Sequence, residues 1–187
     1  MNLKPVFLVA SLVTLPAFGD DGRYLDDARQ VAASLPPKLL EVLVGEISKG
    51  GIENAISVCR ERAPQMAKAA SEKTGWAIRR VSLRNRNPKA VPDAWETGVL
   101  EDFDRRVAAG ESPAALEKFE IITEGEQKVF RYMKALPTQE LCLNCHGTPE
   151  RLSPAVKAKL RELYPDDKAV GYELNQVRGA ITLKKLL

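Results

Sequence analysis

Apolar residues recur at helical spacing through much of the first part of the chain. From Asp21 to Lys49 the leucines and valines follow a helical period, and the pattern predicts a helix broken at Pro36–Pro37. Each proline there lacks a backbone donor, and its ring crowds the carbonyl four residues back. "KGG" ends this helix at Gly50–Gly51. A second helix is expected next, with Ile52, Ala55, Ile56, Cys59, Ala63, Met66, Ala67 and Ala70 along one face. Pro64 should kink or split it, and Gly75 closes it.

The pattern then changes. "WAIRRVSL", Trp76 to Leu83, reads as a strand, and "RNRNPKAVP" as a loop. Asp93 opens a helix with Glu96 in capping-box spacing, and Trp95, Val99, Phe103 and Val107 form its stripe. "LEKFEIIT" and "QKVFRYMKA" flank a turn at Glu124–Gly125, which predicts a hairpin. Thr138 is a candidate N-cap for a helix ending before Gly147. Ser153–Pro154 starts another helix, with Val156, Leu160 and Leu163 inward, and it ends before Pro165. Val177, Gly179, Ile181 and Leu183 alternate with Arg178, Thr182 and Lys184, the pattern of a half-buried strand. The fold class expected is α+β: N-terminal helices, a small antiparallel sheet with inserted helices, and one layer of each. A single domain should cover residues 20–187.

The opening stretch, "MNLKPVFLVASLVTLPAFG", carries Lys4, an apolar run from Val6 to Phe18, and small residues at 17 and 19. That is the layout of a secretory signal peptide, with residues 1–19 removed. The run falls short of the ~20 apolar residues that a membrane span needs. A periplasmic location follows as the expectation, with no stable membrane span in the mature chain. A formal net charge of +3 argues against nucleic acid as a partner, and 44% hydrophobic with 28% charged residues is ordinary globular composition.

"ELCLNCHG" holds two of the three cysteines and the single histidine. Cys142, Cys145 and His146 stand at i, i+3 and i+4, so a helix would carry them on one face. Two thiols can add to the two vinyl groups of a porphyrin, and the adjacent imidazole then lies under the iron. This is the C-x-x-C-H pattern of covalent haem c attachment. A redox C-x-x-C would open the helix of a βαβ unit, and none precedes it. A Cys₃His zinc site could draw in Cys59, but the adjacent Cys145 and His146 rarely bend to one tetrahedral ion.

For the second axial position the residues leave Cys59, Met66, Met133 or an open site. Each has a plain alternative as a core residue. Arg79, Arg80, Arg84, Arg86 and Lys89 make the central segment basic, with no acid between Glu72 and Asp93. Arg80 and Arg86 are the candidates to meet the haem propionates, against the alternative of a solvated face.

Four segments taken together, "NAISVCRERAPQMA", "IRRVSLRNRNP…PDAWE", "CLNCHG" and "YPDDKAVGYELNQVRGAITL", resemble the PAS-like c-type haem domain family. The resemblance covers nearly the whole mature chain, in order. It implies a PAS-like fold, Cys142 and Cys145 as thioether anchors, and His146 with Cys59 as the axial pair of the iron. One position departs: Ala90 stands where the family has an asparagine in the central loop, which puts the shape of that loop in question.

A haem with protein ligands on both sides suits electron transfer or sensing better than substrate chemistry, and no acid–base pair near the motif suggests an enzyme. A redox or small-gas sensing module is the first expectation. A thiolate favours ferric iron, so reduction would free Cys59 and admit nitric oxide or carbon monoxide, with a redox or signalling protein partner reading the change. A periplasmic electron carrier is the alternative.

Overall fold

The computed structural model describes residues 20–187. The expected signal peptide, residues 1–19, lies outside the described residues. Helix α1 (Asp20–Thr74) is interrupted only where Gly50 and Gly51 leave helical dihedrals, Gly51 at φ 81°. Its two limbs, 20–49 and 52–74, are the two helices expected. The breaks expected at Pro36–Pro37 and Pro64 are absent: helical backbone runs through all three. Proline's fixed φ is itself helical, and the packing of each limb outweighs the few hydrogen bonds lost.

Strands β1 (Ala77–Val81), β2 (Glu117–Glu124), β3 (Gln127–Pro137) and β4 (Val177–Leu186) form one antiparallel sheet in the order β1-β4-β3-β2. The β2–β3 hairpin closes over Gly125–Glu126, with Gly125 at φ 62°. Helix α2 (Ala94–Ala108) has the expected capping box between Asp93 and Glu96. Helix α4 (Pro154–Leu163) is capped by Ser153. The α+β class holds, with a four-stranded antiparallel sheet.

The layering differs from expectation. The first limb of α1 lays Ala28, Val31 and Ala32 on one face of the sheet, against Trp76, Phe130, Tyr132 and Leu183. Helix α2 covers the other face, where Val99, Leu100 and Phe103 meet Val81, Met133, Ala135 and Ala180. The sheet is thus sandwiched between helices, and β4, its central member, is buried on both sides rather than half-buried. Arg178 and Thr182, expected at the surface, are 5% and 3% exposed. A third cluster joins the second limb of α1, through Ile56, to Val156 and Leu160 of α4. Among the described residues no helix is long and apolar enough to cross a membrane.

Register slips once along β4. Leu136 pairs with Gly179 but Pro137 pairs with Val177, so Arg178 is an inserted residue without a partner. Such a bulge re-aims a side chain. Val177 and Ala180 therefore share the α2 face. Gly179, at φ 143°, meets a need only glycine fills: an added Cβ would stand 2.3 Å from the Val81 carbonyl oxygen.

Candidate functional site

The segment after β3 makes a tight turn at Glu140–Cys142 and then one turn of helix, α3 (Leu143–His146). Thr138 does not cap it. That residue is fully buried, its N–H bound to the Gln176 carbonyl and its own carbonyl bound by the Asn175 N–H. Gly147 follows the helix as expected, because a Cβ there would lie 2.5 Å from the Leu143 carbonyl oxygen.

The loop before β4 grips this turn from one side. Gly171 N–H donates to the Gly147 carbonyl and Tyr172 N–H to the His146 carbonyl, each at 2.8 Å. The ring of His146 is held by the same loop, Nδ1 to the Ala169 carbonyl at 2.7 Å. A carbonyl only accepts, so Nδ1 carries the proton and Nε2 keeps the lone pair that a metal would use. Burial, then the charges of Arg178 and Arg86, pull this imidazole well below its ordinary pKa, which keeps it neutral. Tyr172 stands edge-on to the imidazole, with centroids 6.3 Å apart.

From the other side comes the central loop. Arg86 donates through Nε to Asp167 Oδ2 at 2.9 Å and through Nη2 to the carbonyls of Cys145, at 2.7 Å, and Ala169, at 3.3 Å. It clamps the cysteine turn to the loop before β4. The expectation that it meets a propionate competes with this, since two of its nitrogens are already taken by protein oxygens. In the loop that carries Ala90, Asn87 Oδ1 accepts from Lys89 N–H, and the Ala90 carbonyl accepts from Ser82 N–H.

Two cavities adjoin here. The larger, about 740 Å³, is lined by Cys59, His146, Arg80, Arg86 and Arg178 among others. The smaller, about 310 Å³, is mainly apolar and reaches Leu35, Leu40, Met66, Cys142 and Ile181. Ala63, Ala67, Ile78, Arg80 and Arg178 wall both. Cys59, from the second limb of α1, thus opens onto the same space as His146. Cys145 packs at the margin, against the Ile56–Leu160 cluster, where burial raises its thiol to about 11. Burial likewise raises the Cys59 thiol. All three cysteines are unpaired.

Of the other sulfur candidates, Met133 is fully buried on the α2 face, in the core and off both cavities, whereas Met66 lines the apolar one. The zinc alternative finds no support, because among the described residues no three His, Cys, Asp or Glu side chains are grouped to hold a metal ion. Arg80 is exposed and lines both cavities. Arg178, which sequence reasoning missed, is drawn down to about 9 by burial and by Arg80. Its signal in the sequence is the glycine beside it, since glycine inside a strand marks a bulge.

A porphyrin carrying two carboxylates asks for unpaired thiols, a neutral imidazole with a free nitrogen, apolar walls and cations. The residues present fit that group. A family model described as "Tll0287-like: Tll0287" matches residues 21–185. Among solved structures, the crystal structure of the cyanobacterial heme-protein Tll0287 is similar at 22% identity and a TM-score of 0.59, over 91% of this chain and 95% of that one. At that identity the likeness speaks for the fold. No curated protein matches.

Proposed function

Because the chain belongs to the Tll0287-like family, we propose that it is an exported c-type haem protein working as a redox or small-gas sensing module. The observation that carries this reading is that His146, whose Nε2 is left free by the Nδ1 bond to Ala169, and Cys59 line one cavity, with Cys142 lining the adjoining one. The crystal structure of similar fold is titled a heme-protein, which supports the same cofactor here.

Cys142 and Cys145 would hold the porphyrin by thioethers, and His146 and Cys59 would bind its iron. Bound there, a haem would supply a one-electron iron couple and could take a diatomic gas. The protein's part is to orient His146 through Ala169 and Tyr172, and to desolvate Cys59. Burial favours the neutral thiol, so a thiolate at Cys59 depends on the extra positive charge of oxidised iron. The ligand is therefore conditional on oxidation state, the property that a sensor uses. We read the chain as a non-enzyme whose one histidine serves as a ligand, acting in the periplasm with a redox or signalling protein.

The test is production in cells equipped for cytochrome maturation. Acid-acetone extraction of the denatured chain should leave the colour on the polypeptide, and C142A/C145A should lose it. Complete extraction from the wild type would reject covalent attachment. C59A should change the low-spin paramagnetic resonance signal, and an unchanged signal rejects that ligand. Uptake of carbon monoxide by the ferrous protein supports sensing, whereas refusal leaves electron transfer as the role.

A further inference from the structure

Five arginines line the larger cavity: Arg79, Arg80, Arg86, Arg131 and Arg178. Three are matched by acids within the protein, Arg79 by Glu96, Arg86 by Asp167, and Arg131 by Asp93 and Glu96. The other two are not. Arg178 is 5% exposed, and its Nε is buried without a hydrogen-bond partner. Its Nη1 donates to Ser82 Oγ at 3.2 Å and to the Arg84 carbonyl at 3.4 Å, both neutral acceptors. Asp167, an acid whose charge Arg178 feels, is already bound by Arg86. The side chain of Arg80, on the neighbouring strand, makes no ion pair or hydrogen bond among the described residues.

An unpaired buried cation is costly, and proteins keep one where a ligand supplies the counter-charge. Arg178 is such a cation; it and the exposed Arg80 wall both cavities, and the bulge in β4 exists at Arg178 itself. Arg178 also stacks on Tyr172, 5.1 Å from the ring centroid, and that ring meets the imidazole of His146 edge-on. One aromatic side chain thus contacts both this guanidinium and the His146 ring.

We propose that Arg178 and Arg80 form a carboxylate-binding pair that receives the two propionates of the haem. Arg86, bound to Asp167, is a clamp on the cysteine turn and not a member of the pair. This inference rests on the haem reading above. Arg178 and Arg80 contribute positive charge close to the porphyrin edge, so they stabilise the reduced state, and the fork of Arg178 fixes how one carboxylate lies.

The test compares haem-loaded wild type with R178Q, R178K, R80Q and the surface control R106Q. It reads the propionate bending band by resonance Raman and the midpoint potential by redox titration. R178Q and R80Q should each shift the band and lower the potential. R178K should keep most of the potential, because the charge remains, yet shift the band, because the fork is gone. R106Q should move neither. Should R178Q fail to fold, the R178K and R80Q results decide the matter by the same criteria. Haem-loaded R178Q or R80Q with wild-type band and potential overturns the assignment alone. A wild-type chain that takes up no haem overturns the underlying reading, and this one with it.

Discussion

Arg86 and Asp167 meet at 2.9 Å with both side chains less than one-tenth exposed, although 81 positions separate them in the chain. The pair joins the central loop to the loop before β4, and the same guanidinium holds the Cys145 carbonyl. Removing one member of such a pair strands the other charge. D167N should lower unfolding stability by ~3–5 kcal/mol, measured by denaturant titration of the haem-loaded protein. R86Q should cost at least as much, because it also releases the Cys145 and Ala169 carbonyls. A loss within experimental error would mean that the clamp contributes nothing.

Met133 separates core from ligand. It is fully buried among Val99, Phe103 and Leu116, on the face of the sheet turned to α2. M133A should therefore cost ~2–5 kcal/mol through the cavity it leaves, while the optical spectrum of the haem in both oxidation states stays as in the wild type. A spectral change on the scale of a ligand exchange would contradict this placement.

Gly179 tests the bulge. An alanine there must hold φ near 143° and push its Cβ against the Val81 carbonyl oxygen. Backbone strain alone is worth ~1–3 kcal/mol, and relief would displace the neighbouring Arg178. G179A should lower the melting temperature and also move the midpoint potential. Stability equal to the wild type would show that β4 accepts a regular register.

Glu117 ties β2 to both α1 and β3, accepting from Arg29 Nε at 2.9 Å and from the Tyr132 hydroxyl at 2.8 Å. These bonds, Arg29's foremost, hold its carboxyl below the ordinary glutamate pKa of 4.5. The folded state then binds the proton less readily than the unfolded one. Its contribution is fully present above the unfolded pKa and is lost as pH falls through the depressed value. As pH falls below the ordinary glutamate pKa of 4.5, the wild type should lose stability more steeply than E117Q. Parallel curves for the two proteins would remove Glu117 as the cause.

Much of this was legible in the chain, and the failures are instructive. The capping box at Asp93 and Glu96 is as read, because both partners are local. The hairpin also stands where the alternation and Gly125 put it. The three prolines misled because tertiary packing of α1 overrides a local penalty. Arg178 misled for a related reason: strict alternation assigns it to solvent, while a single inserted residue turns it toward the cavity. Which arginines are already paired was invisible, since Asp167 and Glu96 reach Arg86 and Arg79 from distant segments. The cysteine turn was legible because its chemistry sits within five consecutive positions, whereas Cys59 needed the fold to bring it to the same cavity.

The central place of β4 has a bearing on how the molecule is made. Within the sheet β1 pairs with β4 alone, Ala77 opposite Lys184. That strand has no partner in the sheet until β4, far along the chain, is in place. Cys142 and Cys145 lie between the two partners in the chain, so this pairing encloses the whole cysteine turn. Closing the sheet and bringing the cysteine turn to its place are one folding event rather than two.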